Sequence, residues 1–275
     1  PTHEYLGFGA GTDFETRLVV KTNAPELLDA AFRKPGWNGE LVAFSGVTDC
    51  YQPLEAVWGL TRRCLEVCVA FRNPASVVTK SYLVCRDVDV LQELGRVASS
   101  SVMISIPFLD AKLAKMVEPG APPPERRFEA MRRLADAGVH VGVMVAPIIP
   151  GLNDNSVAQV LARAADCGAT SAGYVALRLP GSVESVFLSR LRDVMPLRCE
   201  KIENRIREIR GGRLYDPRFK HRMRGEGTYW ESVKQLWDVA VRRYGLDRPF
   251  RQPAEPTFRV PNPTTPNTQL LLQFA

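Results

Sequence analysis

Three polar residues that could bind a charged ligand closely follow short runs of apolar residues: Lys80, Ser105 and Asp49. A lysine ammonium can pair with a carboxylate, a serine hydroxyl can donate a hydrogen bond to one, and an aspartate can accept a hydrogen bond from an ammonium group. The carboxyl ends of parallel strands meet at one edge of a sheet, where α/β proteins bind their ligands. If the apolar runs are parallel strands, these three groups belong to one site.

The elements that must position these residues are strands and helices in alternation. Amphipathic segments separate the apolar runs, and this alternation is typical of parallel βα units whose sheet is covered on both faces. The sequence predicts an α/β fold with parallel strands near residues 41–46, 76–80, 102–106, 140–146 and 172–178, and with one edge of the sheet open. It predicts helices at residues 25–32, 53–68, 87–98, 125–137, 184–195 and 229–244, and a further helix capped by Asn153 or Asp154.

Composition limits the class of protein. The chain has 275 residues, 45% of them hydrophobic, so we expect one large domain with appendages. No apolar run reaches the roughly 20 residues that a membrane span needs, so we expect no membrane partner. The six cysteines form no C-x-x-C pair, which favours reduced thiols and a cytoplasmic protein. The expected division is a barrel over residues 1–197, a basic helical extension over 198–248 and a proline-rich tail, extended or disordered, over 249–275.

The net charge of +6 is concentrated in one segment. Residues 198–224 hold ten lysines and arginines against four acids, a surplus of six that equals the net charge of the whole chain. DNA or another nucleic acid could bind there, and a solvated, salt-bridged surface is the alternative. The residues predicted to contact phosphates are Arg205, Arg207, Arg210, Arg213, Arg218, Lys220, Arg222 and Arg224.

Several short strings carry a resemblance to a known family. In chain order they are Val78-Thr79-Lys80, Ser105-Ile106, Glu118-Pro119-Gly120 with Arg127, and Val143-Met144-Val145-Ala146-Pro147-Ile148. Together they resemble the radical S-adenosylmethionine (radical SAM) enzymes, and within these the spore photoproduct lyase-like branch. Thr48-Asp49 before Tyr51-Gln52-Pro53-Leu54-Glu55, and Arg86-Asp87 after Thr79-Lys80-Ser81, are more similar to uncharacterised bacterial members of that branch than to the lyase itself. The resemblance runs from residue 1 to about residue 245.

The resemblance implies a fold and a chemistry. Members fold as a partial (β/α)6, TIM-like barrel, and here the first strand would be missing and a C-terminal helical extension added. Members hold a [4Fe–4S] cluster on three cysteines spaced C-x3-C-x2-C. The cluster takes electrons from a donor such as flavodoxin or ferredoxin and cleaves bound S-adenosylmethionine (SAM) reductively to a 5′-deoxyadenosyl radical. In relatives this motif lies immediately upstream of the residues that match 1–6, so we expect no metal ligand in this chain and no activity from this chain alone.

One pair of cysteines partly matches the cluster motif. Cys64 and Cys68 have the spacing of its first two cysteines, but Phe71 stands where the third would be. Both cysteines also fall on the inward stripe of the helix predicted at 53–68. The sequence therefore favours core packing for them over cluster binding.

The resemblance further implies a role for the strand ends in binding the amino-acid part of SAM. Lys80 and Ser105 would bind its carboxylate, and the loop of Gly46, Thr48 and Asp49 would cradle its amino group. Each assignment has a plainer alternative: a lysine that reaches solvent, a hydroxyl that bonds the backbone locally, and an ordinary turn.

Later strand ends would bind the rest of the cofactor. Residues 146–148, through Ala146 and Ile148, would offer an apolar wall to the adenine, and Arg178 could reach the ribose or the substrate.

Cys50 is the candidate catalytic residue, because spore photoproduct lyases use a cysteine in this neighbourhood to return a hydrogen atom to the product radical. The alternative is an incidental loop thiol. The rival function for the whole chain is a cluster-less barrel that binds nucleic acid without radical chemistry. The sequence does not define the substrate, because one fold can serve many reactions.

Overall fold

Five parallel strands form the centre of the structure, a computed structural model that describes residues 6–9, 13–45, 48–219, 221–248, 250 and 254–262. Neighbouring strands pair in parallel and in chain order. This arrangement confirms the predicted α/β fold with a partial barrel. The strands are β1 (Val42–Phe44), β2 (Ala75–Thr79), β3 (Ser100–Ser105), β4 (His140–Ile148) and β5 (Ser171–Ala176).

Helices connect consecutive strands and cover the sheet. Before β2 lie α1 (Asp13–Thr16), α2 (Ala24–Phe32), α3 (Glu55–Trp58) and α4 (Leu60–Ala70). Between β2 and β5 lie α5 (Val88–Val97), α6 (Ala111–Val117), α7 (Pro124–Asp136) and α8 (Val157–Asp166). After β5 lie α9 (Val183–Val194), α10 (Pro196–Glu208) and α11 (Gly227–Arg243). Two 3₁₀ turns, Tyr82–Asp87 and Asp154–Ser156, lead into α5 and α8.

The inner strands form the core because their branched apolar side chains suit a strand that helices cover. Val77, Ile104 and Val143 are 0% exposed. Burying one such side chain contributes about 1.5–3 kcal/mol. The edge strand differs: within the described residues, β1 pairs with β2 and with no second strand.

The helices depart from the sequence prediction: one predicted helix is divided, and α1, α6 and α10 have no counterpart among the predicted helix ranges. The single helix predicted at residues 53–68 is two helices, because Gly59 adopts the left-handed conformation at φ 58° and ends α3 before α4 begins. Helix α6 was not predicted, since its seven residues are too few for a clear apolar period. The Asp110 side chain caps α6 by accepting hydrogen bonds from the amides of Lys112 and Leu113.

Helix α11 packs into the apolar core of the barrel, whereas α9 and α10 form a second apolar cluster. Trp230 and Trp237 of α11 are buried, and the Trp237 ring lies 4.7 Å from the ring of Tyr174 on β5. Helix α10 packs Ile202 and Ile206 into a second cluster with residues of α9. Since α10 begins at Pro196, the predicted boundary between residues 197 and 198 falls inside a helix.

Residues 254–262 form an extended strap across the start of the fold. The Phe258 ring stacks on Phe71 at 6.1 Å and meets Phe32 of α2 at 6.0 Å. The Thr257 hydroxyl donates to the Arg72 carbonyl at 2.8 Å. The described part of the predicted proline-rich tail is therefore packed on the barrel. None of the described helices has the length and apolar content to cross a membrane.

Candidate active site at the carboxyl ends of the strands

A cleft of about 620 Å³ lies at the carboxyl edge of the sheet. All five strands or the residues just after them contribute to its wall, together with Met223 from the loop between α10 and α11. The structure brings five of the predicted site residues together in this wall: Asp49, Lys80, Ser105, Ala146 and Arg178. They converge because parallel strands present their carboxyl ends on one side.

Three of the other predicted site residues do not line the cleft. Thr48 is exposed, whereas Ile148 is fully buried in the core. Cys50 is half-buried, and its thiol donates to the Phe44 carbonyl at 3.8 Å. Burial raises the pKa of this thiol far above the usual cysteine value. Gly46 lies outside the described residues.

Asp49 ties the end of β1 to the end of β2. Its Oδ1 accepts hydrogen bonds from the Thr79 hydroxyl at 2.6 Å and from the Tyr51 amide at 2.9 Å, and its Oδ2 accepts from the Lys80 amide at 2.7 Å. Hydrogen bonds to a carboxylate are the stronger kind, so the loop after β1 is firmly held. Asp49 thus has a structural role in addition to any contact with a ligand.

Lys80 belongs to a chain of ionic contacts that ties β2 to β3. Its Nζ lies 3.2 Å from Glu118, the residue that follows α6. Glu118 also accepts a hydrogen bond at 2.8 Å from Arg127, and Arg127 donates to the Ser105 carbonyl at 2.9 Å. Arg127 is 2% exposed, so a buried side chain fixes Glu118, and Glu118 in turn fixes Lys80.

Ser105 ties β3 to β4, because its hydroxyl donates to the Ala146 carbonyl at 3.1 Å. Asn153 holds the loop beyond β4. Its side-chain amide donates to the carbonyls of Pro107 and Pro147, and its Oδ1 accepts from the Ile149 amide at 2.6 Å. Of the two predicted capping residues, Asn153 and Asp154, Asn153 makes no side-chain capping bond to the turn that leads into α8.

Arg178 is the cation of this wall that has no acidic partner in the described part of the chain. Its Nε is buried and without a hydrogen-bond partner there. A buried donor without a partner costs free energy of about 1–3 kcal/mol, which a bound acceptor would recover. Arg178 is therefore the residue of this wall best placed to bind an anionic or polar ligand group.

Arg210 anchors the loop that carries Met223 beside β5. It is 6% exposed and donates to the carbonyls of Leu177, His221, Arg222 and Arg224. The prediction that Arg210 contacts phosphates is therefore wrong, because its guanidinium faces four backbone carbonyls in the interior. Sequence reasoning missed this role because the residue lies in a run of surface-like charges.

Comparison with known proteins identifies the family. The profile of the Radical SAM superfamily matches residues 14–164, more than half of the chain. The chain belongs to the radical SAM superfamily.

Similar proteins agree with this assignment. Uncharacterised proteins of Mycobacterium tuberculosis and Mycobacterium bovis are 35% identical to this radical SAM chain over 227 residues. The match covers 82% of this chain and 66% of each relative, so the chain spans just under two thirds of their length.

Solved structures of spore photoproduct lyase share the fold at low sequence identity. One variant with bound AdoMet and dinucleoside spore photoproduct has a TM-score of 0.57 and 13% identity. The likeness covers 85% of this chain and 68% of that one. Another variant of the lyase has the same TM-score at 14% identity, over 83% of this chain and 66% of that one.

The residues around the cleft fit SAM, a cofactor with a carboxylate, an ammonium group and an apolar ring system. One wall holds Arg178, which has no acidic partner in the part of the chain that the structure describes, together with a lysine and a carboxylate. The apolar side chains of Met144 and Val175 line the same wall. Such a wall of apolar side chains with a few convergent polar groups is typical of a cofactor site.

The cysteines do not fit a [4Fe–4S] cluster, which needs thiolate ligands at one site. Cys64, Cys68, Cys85, Cys167 and Cys199 are buried, and none of them lines the cleft. Burial raises the pKa of Cys64 and Cys85 to about 11 and that of Cys68 to about 12. Cys64 and Cys68 pack in the core, as the sequence predicts, and the described cysteines do not gather at one site.

Part of the charge of the basic segment is paired with acids. Arg205 pairs with Glu208 at 2.5 Å, and Arg207 pairs with Glu203 at 2.8 Å. Arg222 and Arg224, which flank Met223, have no ion pair within the described residues. Lys220 lies outside the described residues. The charge available to a nucleic acid is thus smaller than the sequence indicates, and it lies beside the cleft.

One group of described residues has the spacing of metal ligands: Asp216, His221 and Glu226. The guanidinium of Arg218 already lies 2.7 Å from Asp216 and 3.7 Å from Glu226. This cation holds the pKa of the Asp216 carboxyl far below its usual range. A metal ion would have to displace Arg218, so we assign no metal to this group.

Proposed function

We propose that the cleft binds SAM and that the protein is a radical SAM enzyme. Arg178 carries this proposal, because its buried Nε has no hydrogen-bond partner among the described residues, whereas the other cation of the wall, Lys80, is paired with Glu118. A polar or anionic group of the cofactor would complete the hydrogen bonds of Arg178. Family membership supports the same cofactor.

The two sides of the cleft suit the two parts of SAM. Asp49 and Lys80 at the ends of β1 and β2 place a carboxylate and an ammonium together, and these complement the charges of the amino-acid part. Ala146 and Val175 at the ends of β4 and β5 offer an apolar surface to the adenine, with Arg178 next to them for the ribose or a substrate group. In this superfamily bound SAM supplies a 5′-deoxyadenosyl group for radical chemistry. The residues of this chain bind and orient it and exclude water from one wall.

Arg178→Gln tests the proposal in the protein expressed from its complete gene and reconstituted anaerobically with iron and sulfide. We expect the Kd for SAM, measured by equilibrium dialysis, to rise at least about tenfold, or about 1.4 kcal/mol. Arg242→Gln on α11, an exposed residue remote from the cleft, is the matched control and should leave the Kd unchanged. Equal SAM affinity in both variants would contradict the assignment of Arg178.

We also propose a nucleic acid as the substrate. Arg222 and Arg224 support it, since these two residues make no ion pair within the described residues and Arg210 anchors the loop that carries them beside the cleft. A structure of spore photoproduct lyase, which shares the fold, holds a dinucleoside. The rival function, a nucleic-acid binder without radical chemistry, uses the same loop.

Arg222→Gln combined with Arg224→Gln tests this substrate class. DNA binding followed by fluorescence anisotropy should weaken between ~50 and ~200 mM salt, and the double variant should show a smaller salt slope. An affinity for DNA that does not change with salt concentration would argue against a nucleic acid as the substrate. Release of 5′-deoxyadenosine by the reconstituted protein with dithionite separates the enzyme from the rival binder, which would release none.

A further inference from the structure

A buried ionic network lies behind the loop that carries Asp49. Asp87, which ends the turn before α5, is 0% exposed. It accepts hydrogen bonds from the Tyr51 hydroxyl at 3.0 Å and from the Arg86 Nε at 2.7 Å. Arg62 of α4 adds a third contact at 3.3 Å. Three donors from different elements thus converge on one buried carboxylate.

Arg86 extends this network to the far end of the same loop. It donates to the Glu55 carbonyl at 2.7 Å and to the Glu55 carboxylate at 2.8 Å. The Glu55 carboxylate, 5% exposed, also accepts from the Thr61 amide at 3.0 Å, so it caps the first turn of α4. The Thr61 hydroxyl in turn donates to the Cys50 carbonyl at 2.7 Å.

Tyr51 connects the network to the cleft. Its hydroxyl bonds Asp87 on one side, while its amide bonds the Asp49 carboxylate at 2.9 Å on the other. Asp49 then accepts from the Lys80 amide at 2.7 Å. A continuous path of hydrogen bonds therefore runs from Arg86 to the backbone of Lys80.

Breaking such a network is costly for a physical reason. A buried carboxylate that loses its cationic partner keeps the full cost of its removal from water. Arg86 forms ion pairs with both Asp87 and Glu55. Arg62 also pairs with Asp87 through its side chain, but it bonds Glu55 only through its backbone amide, at 3.4 Å. Because Arg86 and Asp87 lie in one turn, the loop can leave its position only if Glu55 loses Arg86 and the Tyr51 hydroxyl loses Asp87.

We infer that Arg86 is a positioning residue for the cleft: through Asp87 and Tyr51 it fixes Asp49, and through Asp49 it fixes Lys80. Arg86 itself does not line the cleft. The consequence for cofactor binding rests on the proposed function, whereas the positioning of the loop does not.

Hydrogen exchange in the 275-residue chain tests the positioning without any cofactor. Arg86→Lys should accelerate exchange at the amides of Tyr51 and Lys80 by about tenfold or more, while exchange over residues 140–148 stays unchanged. Tyr51→Phe, nearly the same in shape, should act in the same direction if Arg86→Lys fails to fold. Arg163→Lys, whose arginine pairs with Glu125 on the outer surface, is the control. No change at the two amides, or uniform acceleration throughout the chain, would overturn the inference.

A double-mutant cycle tests the path through Asp49 in the reconstituted protein from the complete gene. We expect Arg86→Lys to raise the Kd for SAM about tenfold, and to have little further effect when Asp49→Asn is already present. If Arg86→Lys raises the Kd for SAM equally with and without Asp49→Asn, the path of hydrogen bonds through Asp49 is contradicted. If SAM does not bind at all, the proposed function fails while the exchange result still decides the role of Arg86.

Discussion

At the scale of single residues, the polar groups of the cleft also hold the fold together. Asp49, Lys80 and Ser105 have types suited to a ligand, yet each is bonded to a neighbouring strand or helix. Such ties fix the groups before a ligand arrives, so less conformational entropy is lost on binding. Arg178 differs from them because its Nε has no partner within the described residues.

Arg127 should be essential for stability. Arg127→Met removes the donor to the Ser105 carbonyl and leaves Glu118 with Lys80 as its remaining ionic partner within the described residues. The loss of one partner of a buried ion pair costs about 3–5 kcal/mol. Urea unfolding measures the change. Arg126→Met, on the same helix and paired with Glu129 at the surface, should cost no more than about 1 kcal/mol. Similar losses of unfolding free energy in both variants would show that the buried contacts of Arg127 do not contribute to stability.

The buried thiols should be unreactive in the native protein. Because burial raises the pKa of Cys64 and Cys85 to about 11, only about a thousandth of each is thiolate at pH 8. We expect iodoacetamide to alkylate these thiols slowly at pH 8. The rate of alkylation should increase as the pH rises, and the reaction should be rapid in guanidinium. The 275-residue chain should also develop no cluster absorbance with iron and sulfide. Fast labelling of Cys64 without denaturant would contradict its burial.

At the scale of elements, Gly59 should be necessary for the break between α3 and α4. Gly59→Ala places a Cβ in the left-handed region and should cost about 1–2 kcal/mol, although no atom lies within 4 Å of that Cβ. Gly120→Ala, also in open space but outside the left-handed region, should leave stability unchanged or raise it by less than about 1 kcal/mol. Thermal unfolding measures the stability of both variants. Equal changes in stability would exclude backbone strain as the reason that glycine is needed at position 59.

Much of the fold could be predicted from the sequence, and less of the site. Runs such as 102–104 predict strands because β-branched residues and burial act locally. The partners of Lys80 and Asp49 could not be predicted. Glu118 reaches Lys80 only after α6 folds, and the strings at 51–55 and 86–87 do not reveal that they bond each other. A single glycine within an apolar period is likewise a weak signal, so the break at Gly59 was missed.

At the scale of the whole molecule, the strap of residues 254–262 should add to global stability. Phe258→Ala removes a half-buried ring from Phe32 and Phe71, at a cost of about 2 kcal/mol, roughly half of the value for a fully buried ring. Phe219→Ala is the control, because that ring is 74% exposed and should change stability by less than about 0.5 kcal/mol. Both are measured by urea unfolding, and an effect of Phe258→Ala no larger than that of the control would mean that the strap does not stabilise the barrel.

The strap also has a consequence during synthesis. The Arg33 guanidinium meets the Pro261 carbonyl across 228 positions of the chain, and Phe258 covers Phe32 across a similar separation. On the ribosome, the aromatic surface of α2 therefore stays uncovered until nearly all of the described chain has been made. Exposed apolar surface on a nascent chain is a site for aggregation and for chaperones. We expect chains stalled before residue 254 to bind a holdase chaperone through this surface and to be released once the strap emerges.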